Sequence, residues 1–289
     1  MSFRGALKAR TRNPATCSEG VAGFRVRRFA PSRNDRRISN LIFGALGLVS
    51  LALAWEFGHR VFGPFVLPSP VETVSCLVDL ITSGQAGPAL AVTGANALAG
   101  WLVGAALGVA LGIAAGVVAP LGAALRPVVT VTLGVPPIAW VVLALLWFGP
   151  RGLAPAFTVL VTVVPIVFSA ALQGILARDP KLSEMARVYG APPLLRLRML
   201  VLPQLLDPLL PALATALAFA WKVGVMAEVL GGGTGIGGKI ATARAHLDLA
   251  ETMAWILLVV ALLLVCDGLL LAPIRRFLGA RRPAAVATG

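Results

Sequence analysis

The sequence predicts an all-α polytopic membrane protein with about six transmembrane helices. Both termini are expected in the cytoplasm, with a short cytoplasmic helix between spans four and five. Three observations predict this. Of 289 residues, 58% are hydrophobic and 13% are charged, about half the charged share of a soluble domain. Apolar runs of about 20 residues, long enough to cross a bilayer as helices, recur along the chain. The cations are also unevenly placed. With six spans and the N-terminus inside, the inner segments hold twenty of the 25 Lys and Arg, and the outer side holds Arg60, Arg151, Lys222, Lys239 and Arg244. That bias marks cytoplasmic loops, and it accounts for the net charge of +13 without a nucleic-acid partner. Cys17, Cys76 and Cys266 lie far apart, which gives neither a disulfide framework nor a metal-ligand spacing.

Residues 1–37 hold ten of the cations and two acids, Glu19 and Asp35, with no apolar period. They are expected to form a disordered basic tail that orients the chain and can meet anionic lipid. The stretch exceeds a signal-peptide n-region, so the next apolar segment is a first span. Span 1 covers 38–57 and span 2 covers 89–118. In span 2, Gly100, Gly104, Gly108 and Gly112 recur every four residues, a stripe that lets a second helix approach closely. Span 3 covers 128–148 and contains Pro136-Pro137. Two missing amides must break it there, and a broken helix at membrane depth belongs inside protein or beside a water-filled cavity. Span 4 covers 154–176, span 5 covers 205–229 and span 6 covers 253–271. A C-terminal cytoplasmic tail, 277–289, comes after it.

Between spans 4 and 5 lies a polar segment with a full set of helix punctuation. Asp179 suits an N-cap, and Pro180 suits the first helical position, where its missing amide costs nothing. Gly190 suits the left-handed residue past the end, and Pro192-Pro193 prevents continuation. Leu182, Met185, Ala186 and Tyr189 fall at i, i+3, i+4 and i+7, so the helix has one apolar stripe and a charged back. Such a helix could lie on the bilayer surface.

Glu184-Met185-Ala186, Gly190 and Leu200-Val201-Leu202-Pro203 carry a further resemblance. At these spacings the segment resembles the "EAA" loop of ABC-importer permeases, with Met185 where the pattern has its first alanine. Leu67-Pro68-Ser69-Pro70, Pro136-Pro137-Ile138-Ala139-Trp140, Leu146-Trp147-Phe148-Gly149, Trp221-Lys222, Ala227-Glu228 and Gly235-Ile236-Gly237 resemble its nitrate/sulfonate/taurine branch. The resemblance covers about 65–275. It implies that 38–276 form the permease domain of an importer in the bacterial cytoplasmic membrane. It also implies a homodimer that works with cytoplasmic ABC ATPase subunits, which bind the ATP and magnesium, and with an extracytoplasmic solute-binding protein. The chain itself would hold no cofactor or metal. Asp179, Leu182, Glu184, Met185, Ala186, Tyr189, Gly190, Leu202 and Pro203 would couple it to the ATPase.

The remaining motifs carry no chemistry. Gly233–Lys239 fits GxxxxGK, but Ile240 stands where a phosphate loop needs Ser or Thr, and no strand precedes it; a flexible outer turn is expected instead. No nucleophile–base set or carboxylate pair appears, so the chain is expected to be no enzyme. Ionisable groups inside spans mark pathways. Pro136, Pro137, Trp140, Trp221, Lys222 and Glu228 are therefore the candidate translocation residues. Lys222 either attracts an anionic solute or snorkels to the interface. Six residues apart, Lys222 and Glu228 point about 120° apart on one helix and do not pair. An ion-gradient-driven carrier or channel and a non-transporting scaffold are the alternative classes, both disfavoured by the loop motif. Spans 2 to 4 hold no buried charge, which argues against a proton-driven carrier built on a carboxylate relay.

Overall fold

The computed structural model describes residues 33–150, 153–266 and 268, and these hold helices and turns without a strand. The helices are α1 (Arg33–Phe62), α2 (Pro70–Thr82), α3 (Ala86–Val117), α4 (Ala119–Gly134), α5 (Pro137–Phe148), α6 (Ala154–Leu176), α7 (Pro180–Val188), α8 (Pro193–Arg196), a π-helical turn (Leu197–Val201), α9 (Leu202–Gly231), α10 (Ile236–Ala245) and α11 (Leu249–Cys266). The architecture is all-α, as expected. The expected tails lie largely outside the described residues, except that α1 already begins at Arg33 rather than at 38. Contacts divide the chain between Leu51 and Ala52, within α1, and helices α2 to α11 belong to the second part.

Among the described residues three helices are long and apolar enough to cross a membrane: Ala86–Val117, Ala154–Leu176 and the continuous run Leu194–Gly231. A fourth crossing requires α4 and α5 together, which meet at 94°. The bend sits at Pro136-Pro137, where Pro136 is the N-cap of α5 and Pro137 its first residue. The expected break is therefore present, but it produces two helices with a sharp corner instead of one kinked span.

The core is the meeting of α3 and α6. A β-carbon built on Gly100 would stand 2.7 Å from the Val159 Cβ, on Gly104 3.1 Å from Val163, on Gly108 2.9 Å from Val167, and on Gly112 2.6 Å from Ala171. Each step of four on α3 is matched by a step of four on α6, and the stripe continues to Gly116 against Ile175. The missing side chains let two backbones meet where hydrophobicity alone gives no net attraction, because lipid is equally apolar. Residue numbers rise together on both helices, so α3 and α6 run parallel and level. The intervening chain, α4 and α5, must then return from one end of this helix pair to the other.

Helix α9 runs antiparallel to both. Gly174 meets Leu205 and Pro208, while Val159 meets Gly224; Trp101 Nε1 donates to the Leu213 carbonyl at 3.1 Å. Val163, Val167, Ala171, Ala216, Ala220 and Val223 fill the space between them. The π-helical turn before α9 has a local cause. Pro203 has no amide, and its ring would clash with the carbonyl four residues back in a regular helix. The wider turn, in which the Leu202 amide reaches the Leu197 carbonyl, opens that space.

Two helices go beyond the expected elements. Helix α2 starts on a capping box, with Ser69 Oγ accepting from the Glu72 amide and the Glu72 carboxylate accepting from the Ser69 amide, both at 3.1 Å. It packs on α11 through Leu80, Cys76 and Leu77 against Trp255 and Ala254. Helix α10 replaces the expected flexible turn. Ile236, Gly237, Gly238 and Ile240 are buried, and Gly238 lies so close to the Gly233 carbonyl that no side chain fits. The expected sixth span coincides with α11 as far as Cys266 and then leaves the described residues.

Candidate functional site

At the end of the helix bundle where Gly116 meets Ile175, the chain projects α7. Its start is fixed by Asp179, whose Oδ1 accepts from the Lys181 amide at 2.8 Å, with Pro180 at the first position. Its end is a complete Schellman closure. The Gly190 amide donates to the Arg187 carbonyl at 3.1 Å and the Ala191 amide to the Ala186 carbonyl at 2.9 Å. Gly190 has φ +65°, the left-handed conformation that this closure needs and that glycine adopts without strain.

Nothing in α7 is buried. Leu182 is 41% exposed, Met185 58% and Tyr189 80%; Ala186 is half-buried and Glu184 is exposed. The apolar stripe predicted by periodicity is therefore real and uncovered. Leu202 and Pro203 lie at the foot of α9, not on α7. Gln204, beside them, accepts from the Asp179 amide at 3.2 Å and ties the two pieces together.

The opposite end of the bundle holds the one buried carboxylate among the described residues. Glu228 is 3% exposed. Its Oε2 accepts from Thr93 Oγ1 at 2.7 Å and from the Gly237 amide at 3.2 Å, and its Oε1 accepts from Asn96 Nδ2 at 3.1 Å. Thr93 in turn accepts from the Ile236 amide at 2.8 Å. The first amides of α10, which have no partner within their helix, thus end on a side-chain hydroxyl and a carboxylate. Gly235 is pressed against that carboxylate. The glycine run that imitates a phosphate loop is occupied by the protein's own anion, at the positive end of a helix where an anion is favoured. Glu228 and Asn96 also line a cavity of about 710 Å³ with Pro150, Pro155 and the 231–235 turn.

The other candidate path residues do not converge on this point. Trp221 is buried, its ring edge 3.2 Å from a β-carbon built on Gly94. Lys222 is exposed and, as the spacing predicted, makes no ion pair with Glu228. Pro136, Pro137 and Trp140 stand at the α4–α5 corner, Pro136 exposed and the other two half-buried. Sequence reasoning missed Thr93 and Asn96. Their signal was present: they are polar residues in an otherwise apolar span, and a buried charge elsewhere requires partners.

Comparison with known proteins agrees with this architecture. A family model described as "Binding-protein-dependent transport system inner membrane component" matches residues 108–282. The riboflavin transport system permease protein RibX of Chloroflexus aurantiacus is 34% identical over 246 residues, covering 81% of this chain and 91% of its own length. SsuC of Escherichia coli, a permease named for aliphatic sulfonates transport, is 33% identical over 203 residues, 69% of this chain and 77% of its own. The nitrate import permease protein NrtB of Synechococcus elongatus is 26% identical over 223 residues, 73% of this chain and 79% of its own. A crystal structure of an amino acid ABC transporter superposes with TM-score 0.58 at 19% identity, covering 69% of this chain and 97% of that one; it shares the fold.

Proposed function

This chain belongs to the family of binding-protein-dependent transport system inner membrane components and is a permease component of an ABC transporter, and on that premise we propose that it forms the translocation path of an importer driven by a separate ATPase. The observation that carries the coupling is α7. A short helix with both ends closed keeps Leu182, Met185 and Tyr189 uncovered, inside a motif whose glutamate, glycine and Leu-Pro fall at the spacings of the EAA loop. An apolar stripe with a charged back is what a groove on a partner can grip.

The proposed work is mechanical. Cytoplasmic ATPase subunits bind ATP and magnesium, close on one another and move α7. Leu182, Met185, Ala186 and Tyr189 provide the contact, and Glu184 is its polar anchor. Asp179 and Gly190 keep the helix formed, while Leu202 and Pro203 deliver the motion into α9. A second copy of the chain completes the path in the bacterial cytoplasmic membrane. A solute-binding protein outside delivers a small solute of the nitrate, sulfonate or taurine kind. Along the path we place Glu228 beside its cavity, Lys222 and Trp221 on the same helix, and the Pro136-Pro137-Trp140 corner. No chemistry is assigned to the chain itself.

The test is recovery of partners. The native chain, solubilised gently from its own cells, is expected to bring down an ABC ATPase, and Glu184→Lys is expected to lose it. Recovery of the ATPase at equal yield with both would remove α7 from the coupling.

A further inference from the structure

We propose that Arg178, Arg187 and Arg196 form a binding site for a phosphate-bearing anion at the junction of α7 and the foot of α9. This site goes beyond the importer reading and does not depend on which solute is carried.

The three arginines come from three neighbouring pieces of chain: the turn after α6, the last turn of α7, and α8. They line one cavity of about 550 Å³, together with Ser183 and an apolar wall of Leu197, Leu200 and Val201. No carboxylate lines it. Among the described residues the one ion pair joins Arg60 to Glu56, so none of the three guanidinium groups has an acidic partner there. Arg178 uses Nε on the Ile175 carbonyl at 2.8 Å, which leaves both terminal nitrogens free to turn to the cavity. Arg196 Nε is shielded from solvent and has no acceptor, an arrangement that costs free energy until an acceptor arrives. Of the two acids on this segment, Asp179 caps α7 through Oδ1, and Glu184 lines the adjoining cavity beside Arg178 and Arg187 without an ion pair to either.

Three converging cations with one buried, unmet donor call for an anion. The planar fork of arginine matches the oxygens of phosphate better than a point charge does. The apolar wall adds a second requirement, met by a phosphate that carries carbon next to it. An anionic phospholipid head with its glycerol and first methylenes satisfies both, and basic pockets beside membrane helices hold such heads. A free phosphate compound satisfies the first alone. In either case the anion would bridge Arg187 on α7 to Arg196 at the foot of α9 and brace the projecting helix.

The experiment uses the full chain in detergent, without its partners, against two probes: phosphatidylglycerol in phosphate-free buffer, and inorganic phosphate without lipid. Retained lipid is counted by native mass spectrometry. Bound phosphate is counted by equilibrium dialysis with radiolabelled inorganic phosphate. The triple variant Arg178→Gln/Arg187→Gln/Arg196→Gln is compared with Lys239→Gln/Arg244→Gln, which removes charge at the other end of the bundle. Arg196→Lys keeps the charge without the fork, and every variant is first shown to be monodisperse. A loss of about tenfold in phosphatidylglycerol retention in the triple variant alone, with partial loss in Arg196→Lys, supports a lipid head. The same pattern with inorganic phosphate alone supports a soluble phosphate. Equal retention by native and triple variant overturns the site. Binding of neither probe, with ATPase recovery lost in the triple variant, also overturns it and assigns the arginines to a protein carboxylate.

Discussion

Thr93 donates its hydroxyl hydrogen to Glu228 at 2.7 Å and accepts the Ile236 amide at 2.8 Å, so one threonine on α3 joins the end of α9 to the start of α10. Removing the carboxylate leaves the Gly237 amide and the Thr93 hydroxyl without an acceptor in a buried place, at a cost of about 1–3 kcal/mol. Glu228→Ala is therefore expected to lower the thermal midpoint of the detergent-solubilised chain, and Thr93→Val to lower it less, while Thr93→Ser stays near native. An unchanged midpoint for Glu228→Ala would show that the network is not structural and would leave the carboxylate to the path alone.

The coupling proposal separates folding from transport. Glu184 is exposed, so Glu184→Lys is expected to abolish uptake with the thermal midpoint unchanged. Gly190→Pro removes the amide that bonds Arg187 and cannot hold φ at +65°, so uptake should fall there as well. Uptake at native rate in both, measured in cells that depend on the solute, would end this reading.

The glycine stripe predicts a sharp contrast between positions. Gly108→Leu has no room against Val167, and such overpacking costs about 1–3 kcal/mol or more; the yield of monodisperse protein should drop severely. Gly87 is on the same helix with nothing within 4 Å of a β-carbon. Gly87→Ala should be neutral or slightly stabilising, since alanine is the better helix former by about 1 kcal/mol. Equal yields of the two variants would contradict the packing described.

Lys222 is exposed and unpaired with Glu228, so Lys222→Met should leave stability within about 0.5 kcal/mol. If the lysine draws an anionic solute into the path, uptake falls several-fold and its dependence on ionic strength flattens. Native uptake assigns Lys222 to the membrane interface.

Much of this architecture was legible because its determinants are local or periodic. Asp179, Pro180 and Gly190 specify α7 within one short stretch, and the stripe at Gly100, Gly104, Gly108 and Gly112 announces a close neighbour. The stripe does not say which helix that neighbour is, since the α6 side chains facing these four glycines are Val159, Val163, Val167 and Ala171, residue types common everywhere in a membrane. Helix α10 was hidden for a different reason. Its glycines read as a turn by propensity, and what holds them helical is Glu228 and Thr93, 135 residues apart, a relation no local window contains. Helix α2 should have been read, because Ser69 and Glu72 form an ordinary capping box. The corner at Pro136-Pro137 was predicted as a break, but missing amides specify no angle, and α5 meets residues far away in sequence, as Leu145 does Gly231.

The two closed ends of α7 bear on the speed of association. A peptide of nine residues is far too short to stay helical alone in water; here Asp179, Pro180 and Gly190 hold it before any partner arrives. A protein that grips Leu182, Met185 and Tyr189 meets a finished shape, so no affinity is lost to ordering the backbone. Capture can then proceed in one encounter, and the lifetime of the complex is set by how quickly the apolar stripe is exposed to water again.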